Sequence, residues 1–86
     1  MKKQSIEAYI VFLLDTSFPG RSNGAITRNT DLVADLDVDS MAMASLIFSI
    51  DEEFAVGTDH LGDLIVNCRT VGDLISAVER LQLARV

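Results

Sequence analysis

Apolar residues return at helical spacing along most of this chain, and where they lose that period the sequence changes character. Ile6, Ile10, Leu13 and Leu14 sit at i, i+4, i+7 and i+8, which predicts a first helix over residues 3–15 with one buried stripe. Val11 and Phe12 widen its apolar surface, so that helix is expected to meet more than one neighbour. Phe18-Pro19-Gly20 stops it, because Pro cannot continue the hydrogen-bond ladder and Gly permits the turn. Residues 16–31, rich in Ser, Asn, Gly and Thr, then read as a long loop. A loop of that length inside one small domain needs a reason. A parallel crossover, carrying the chain back along the bundle with Ile26 tacked to the core, supplies one.

Leu32, Val33 and Leu36 form a short apolar segment, a single helical turn leading into Asp39-Ser40. A second helix is predicted from about Ser40 to Phe54 with Asp39 at or next to its N-cap, where a carboxylate accepts from free backbone N–H groups and suits the positive end of the helix dipole. At 100° per residue, Met43, Leu46, Ile47, Ile50 and Phe54 fall within an arc of about 100°, the core face. Met41, Ala44, Ser45, Phe48 and Glu52 fall opposite, and folding alone does not ask for an exposed Met and Phe there. The period weakens through Ala55–Arg69, which predicts a short third helix around Leu61, Leu64 and Ile65. Thr70, with Asp73 three residues on, opens a final helix carrying Val71, Leu74, Ile75, Val78 and Leu81 inward and Glu79, Arg80 and Arg85 outside. The fold class is therefore all-α, a four-helix bundle of three long helices and one short third helix with a long loop between the first two.

Composition narrows what such a bundle can do. Eighty-six residues make one domain, 1–86, with little room for a deep cleft beside a core. A net charge of −6 and no basic patch exclude nucleic-acid binding and favour basic protein partners. One cysteine, Cys68, allows no internal disulfide and fits a reducing compartment; one histidine, His60, completes no metal site. Met1-Lys2-Lys3 before the apolar Ala8–Leu14 looks like a miniature signal peptide, but Glu7 and Asp15 bracket only seven apolar residues. No run reaches the ~18 apolar residues of a membrane span. The expectation is a cytoplasmic monomer.

The chemistry centres on Asp35-Leu-Asp-Val-Asp-Ser-Met41. Asp35, Asp37 and Asp39 alternate like the start of a calcium loop, but Gly at the sixth place and Glu at the twelfth are replaced by Ser40 and Leu46. Nucleophilic catalysis by Ser40 lacks a positioned base, since His60 lies in the least regular segment, and no Gly-x-Ser-x-Gly elbow is present. The residues themselves support a serine modified by another enzyme on an acidic interaction module, with no metal and no catalytic residue.

This stretch resembles the phosphopantetheine attachment motif of acyl carrier proteins, in which Asp-Ser-Leu or Asp-Ser-Met follows Leu-Gly-x. Ile26–Leu36 resembles the family's lead-in loop, Asp51-Glu-Glu-Phe54 its acidic ending of helix two, and Thr70-Val-Gly-Asp-Leu74 the start of its last helix. The resemblance implies 4′-phosphopantetheine on Ser40, next to Asp39, delivered from coenzyme A by a phosphopantetheinyl transferase with magnesium. The arm would carry acyl thioesters for fatty acid, lipid or polyketide synthesis, and the protein would be a carrier rather than an enzyme. It further implies that Asp39, Met41, Ala44, Phe48, Asp51 and Glu52 dock ligases, synthases and acyltransferases with basic patches, and that Leu32, Val33, Ile50 and Phe54 line a sheath for the growing chain.

The sequence departs from the family in three places: Asp37 holds the Gly position, Ala42 and Ser45 stand where helix two usually carries acids, and Gly57–Arg69 lacks an acidic, Pro-marked third helix. These departures point to a dedicated carrier for one pathway. Ser40-Met41 is also similar to free-standing carriers of D-alanine and other amino acids, which makes an aminoacyl carrier the alternative. An interaction module with an unused motif is the non-carrier alternative.

Overall fold

The structure, a computed structural model, describes residues 5–18 and 26–84. The Met1-Lys2-Lys3 segment, the Pro19-Gly20 stop and Arg85 lie outside the described residues. Four helices follow in order: α1 (Ile6–Ser17), α2 (Ser40–Phe54), α3 (Leu61–Asn67) and α4 (Val71–Ala84). Among the described residues the only β feature is an isolated bridge between Asp31 and Thr70. The all-α bundle with a short third helix is thus the observed architecture.

Each long helix starts where its sequence supplies an acceptor for orphan N–H groups. The Ser5 hydroxyl accepts from Ala8 N at 3.0 Å and opens α1. Asp39 opens α2, its Oδ1 accepting from Ala42 N at 2.8 Å. Thr70 and Asp73 form a reciprocal box at α4: Asp73 N donates to Thr70 Oγ1 at 3.1 Å while Thr70 N and Arg69 N donate to Asp73 Oδ2 at 3.1 and 3.0 Å. The short α3 has no side-chain cap. Helix α1 runs on to Ser17, past the predicted Asp15, with Phe18 N closing on Leu14 O at 2.9 Å.

The core is assembled from the predicted stripes. Ile10 and Leu14 of α1, the whole of the Met43, Leu46, Ile47, Ile50, Phe54 face, Leu64 of α3, and Val71, Leu74, Ile75 and Val78 of α4 are all buried. Helix α1 packs on both α4 and α2, as its widened surface required, although Phe12 itself stays exposed. Ile26 packs against the core as expected.

The parallel crossover does not occur. Tyr9, near the start of α1, donates to Ser49 O at 3.4 Å and sets its ring edge-on to Phe54 with centroids 5.5 Å apart, both late in α2. At the other end of α1, Leu13, Ser17 and Phe18 share a cleft with Ala42 and Ser45, early in α2. The two helices are antiparallel, so the loop must leave and return. It does so by way of α4: Gly72 N donates to Arg28 O at 2.8 Å, Val71 N to Thr30 O at 2.9 Å, and Leu32 N to Arg69 O at 2.8 Å. Gly72 eases that approach, because a Cβ there would stand 3.0 Å from Arg28 O, a tight contact.

Candidate functional site

The loop's last stretch is a turn wound around two carboxylates. Asp31 Oδ1 accepts from Val33 N at 2.9 Å and Ala34 N at 2.7 Å, while Asp35 Oδ2 accepts from Asp31 N at 2.8 Å. Asp31 Oδ2 takes the Arg69 guanidinium at 3.2 Å, tying the turn to the residues between α3 and α4. These donors, led by Ala34 N–H, hold the Asp31 carboxyl below its ordinary value. Asp37 then turns the chain with φ 59°, in the left-handed region where Gly is at ease and Asp is tolerated better than most residues. That is the place the resembling motif gives to Gly, and the backbone shows why. Val38 buries itself, and Asp39 and Ser40 emerge exposed at the first turn of α2.

Ser40 stands on the rim of an apolar cavity of about 250 Å³. Leu32 and Val38 from the turn, Met43 from α2, and Ile65 and Cys68 from α3 and its end form the walls, with Val33 and Asp39 beside Ser40 at the opening. Of the four residues expected to line a sheath, Leu32 and Val33 therefore flank this cavity, whereas Ile50 and Phe54 lie in the core and take no part in its lining. Val33 is 64% exposed, so it is a rim residue and not the core residue its apolar setting suggested. Val38, Met43, Ile65 and Cys68 were missed. Met43 and Val38 carried the signal of adjacency to Ser40; Ile65 and Cys68 are distant in sequence and carried none.

On the outward side of α2, Met41 is 82% and Phe48 51% exposed, Ala44 is half-buried and Glu52 is exposed. Asp51 is different. Its carboxylate accepts from Gly57 N at 2.6 Å and its carbonyl from Ala55 N at 2.7 Å, which closes α2 behind the left-handed Ala55. The exposed acids at this end are Glu52 and Glu53. Ala42 and Ser45 border the cleft against α1, on one shoulder of α2.

Other candidate chemistry disperses. Asp35 and Asp39 spend their carboxylates on backbone N–H groups, and no cluster of three or more His, Cys, Asp or Glu among the described residues could hold a metal ion. Burial, and after it the charge of Asp73, pushes the Cys68 thiol up, against a smaller opposing effect of Arg80. A thiol so held stays protonated at neutral pH and is a poor nucleophile. No described helix is long and apolar enough to cross a membrane.

An exposed hydroxyl at a capped helix start, above an apolar cavity, is a place to tether something. Residues 17–78 match the family described as "Phosphopantetheine attachment site", which is most of the chain. An acyl carrier protein of Lactobacillus acidophilus is 34% identical over 58 residues, covering 67% of this chain and 70% of the relative. No solved structure matches. The chain belongs to the acyl carrier family of phosphopantetheine-binding domains. Its members are carriers, not enzymes; they hold 4′-phosphopantetheine covalently and work with phosphopantetheinyl transferases and synthase enzymes. The site suits that group: Ser40 is exposed at the first turn of α2, within reach of an incoming transferase.

Proposed function

We propose that Ser40 carries the 4′-phosphopantetheine arm and that this protein presents acyl groups to the enzymes of one fatty acid, lipid or polyketide pathway in the cytoplasm. The observation that carries this reading is the exposed Ser40 at the first turn of α2, on the rim of an apolar cavity. The arm's terminal thiol supplies the chemistry, holding a carboxylic acid as an activated thioester.

The chain's own residues do the rest. In the transfer step the Ser40 oxygen would bond to the phosphorus of the pantetheine phosphate, the pyrophosphate P–O bond of coenzyme A would break with adenosine 3′,5′-bisphosphate as the leaving group, and the hydroxyl proton would pass to a base of the transferase. Asp39 fixes the first turn of α2 by accepting Ala42 N–H, so the hydroxyl is offered in one place. Met41, Ala44 and Phe48 supply apolar anchors, with Glu52 and Glu53 as an acidic rim at the far end. Such a surface fits partners whose apolar spots are edged by Arg or Lys. Asp51, folded onto Gly57, contributes mainly by shaping the end of α2.

Incubation with coenzyme A and a broad-specificity phosphopantetheinyl transferase, followed by intact-mass measurement, tests the attachment. A mass gain of one phosphopantetheine that disappears in Ser40→Ala is expected; no gain, or a gain that survives the substitution, overturns it. Loading of the arm by an adenylating amino-acid ligase, with no reaction with acyl donors, would replace the acyl cargo by an aminoacyl one.

A further inference from the structure

A second, larger cavity of about 370 Å³ lies between α3 and α4. Its lining is of another kind: His60, Asp63, Asp73, Ser76 and Arg80 bring charge and hydroxyl to it. Cys68 lines both this groove and the apolar cavity beside Ser40, and no other described residue does. Cys68 is half-buried, and it immediately follows α3. Its small side chain thus borders an apolar space and a polar one.

We infer that Cys68 sets the chain length of the cargo, closing the apolar cavity so that it shelters short to medium unbranched acyl chains and excludes the tails of long ones. This rests on the proposed attachment at Ser40. An apolar cavity of ~150 Å³ takes the six carbons of benzene, so one of about 250 Å³ takes about ten carbons at similar density. Part of that volume opens at the rim of Val33 and Ser40, where the thioester end must enter, which favours the shorter side of the limit. Beyond Cys68 a longer hydrocarbon would meet Asp63, Asp73 and Arg80. Covering those groups with methylenes removes them from water without giving them partners, which is unfavourable. Long tails therefore remain in solvent, where they gain no burial and leave the thioester open to attack.

The wall opposite does not offer the same freedom. Leu32 and Val38 are buried and held by the hydrogen-bonded turn, and Met43 belongs to the core face of α2. A change of cavity length is made at the α3 end or not at all.

The test loads the full chain from butyryl-, hexanoyl-, octanoyl-, decanoyl-, dodecanoyl- and hexadecanoyl-coenzyme A with a broad transferase. Intact mass first verifies one acyl-phosphopantetheine per chain. Thermal midpoint and the rate of thioester cleavage by hydroxylamine are then read for each length. In the unsubstituted protein, stabilisation and protection should rise to about octanoyl or decanoyl and then level or fall. Cys68→Ala should move the turning point to longer chains, and Cys68→Val and Cys68→Leu should move it progressively to shorter ones. A profile that climbs steadily to hexadecanoyl, or one identical in all three variants, overturns the inference. No mass gain at Ser40 is a separate outcome, seen before any profile is measured, and overturns the attachment itself.

Discussion

The two walls of the cavity beside Ser40 are built by different means. The loop wall, residues 30–38, has no regular helix yet is dense in specific bonds: Asp31 engages Val33, Ala34 and Arg69, Asp35 returns to Asp31, and Thr30 and Leu32 pair with the residues around the start of α4. The opposite wall is α3, a regular helix of seven residues with no side-chain cap and only Leu64 buried. A helix that short owes its stability to packing and has little of it. Regular secondary structure is here the weaker wall, and irregular backbone the firmer one. Under the proposed function, a carrier whose cargo enters and leaves this cavity would gain from having one fixed and one yielding side.

The largest effect should come from removing what both walls lean on. Ile50→Ala empties a site in the buried core and should cost ~2–5 kcal/mol, read as a lower urea midpoint. That is a large part of the ~5–15 kcal/mol that holds a domain together, so the variant is expected to be partly unfolded at ambient temperature.

The next pair of substitutions turns the comparison into a difference of sign. Gly72→Ala forces a Cβ to 3.0 Å from the Arg28 carbonyl and should destabilise by about 1–3 kcal/mol, loosening the loop wall from α4. Gly62→Ala, in α3, adds a Cβ with nothing within 4 Å and should stabilise by about 0.5–1 kcal/mol, because Gly is a poor helix residue. Chemical denaturation of both variants measures this. If both destabilise, α3 is not the loosely held element described above.

Acid should act on the loop wall first. The Asp31 and Asp73 carboxyls are held below their ordinary value of 3.8, in each case chiefly by backbone N–H donors. Groups depressed in the folded state stabilise it fully above their ordinary range, and that contribution is lost as pH falls through the depressed values. Asp31→Asn and Asp73→Asn should therefore flatten the fall of stability below pH ~4, with little change of slope near neutrality.

The smallest effects on stability belong to the outward face of α2. Phe48→Ala and Glu52→Lys should change stability by no more than about 0.5 kcal/mol while slowing reactions with partner enzymes, since both side chains lie off the core. Unfolding by circular dichroism, run beside a partner-dependent loading assay, separates the two outcomes.

Sequence alone determined the helices, the faces of α2, the Asp39 cap and the Thr70–Asp73 box, because each is a local matter of period or of a side chain reaching backbone within a few residues. It also picked out Asp39-Ser40 and the family motif. Only the tertiary structure decided the rest. The antiparallel run of α1 on α2, the use of Asp51 by Gly57, and the joining of Met43 to Ile65 and Cys68 around one cavity have no mark in local period. Val33 shows the limit most plainly: it is an apolar residue in an apolar run, yet the turn fixed by Asp31 leaves it at the rim. Periodicity tells which face of an element is apolar; which surface that face meets depends on how the elements pack, and packing is settled between residues far apart in the chain.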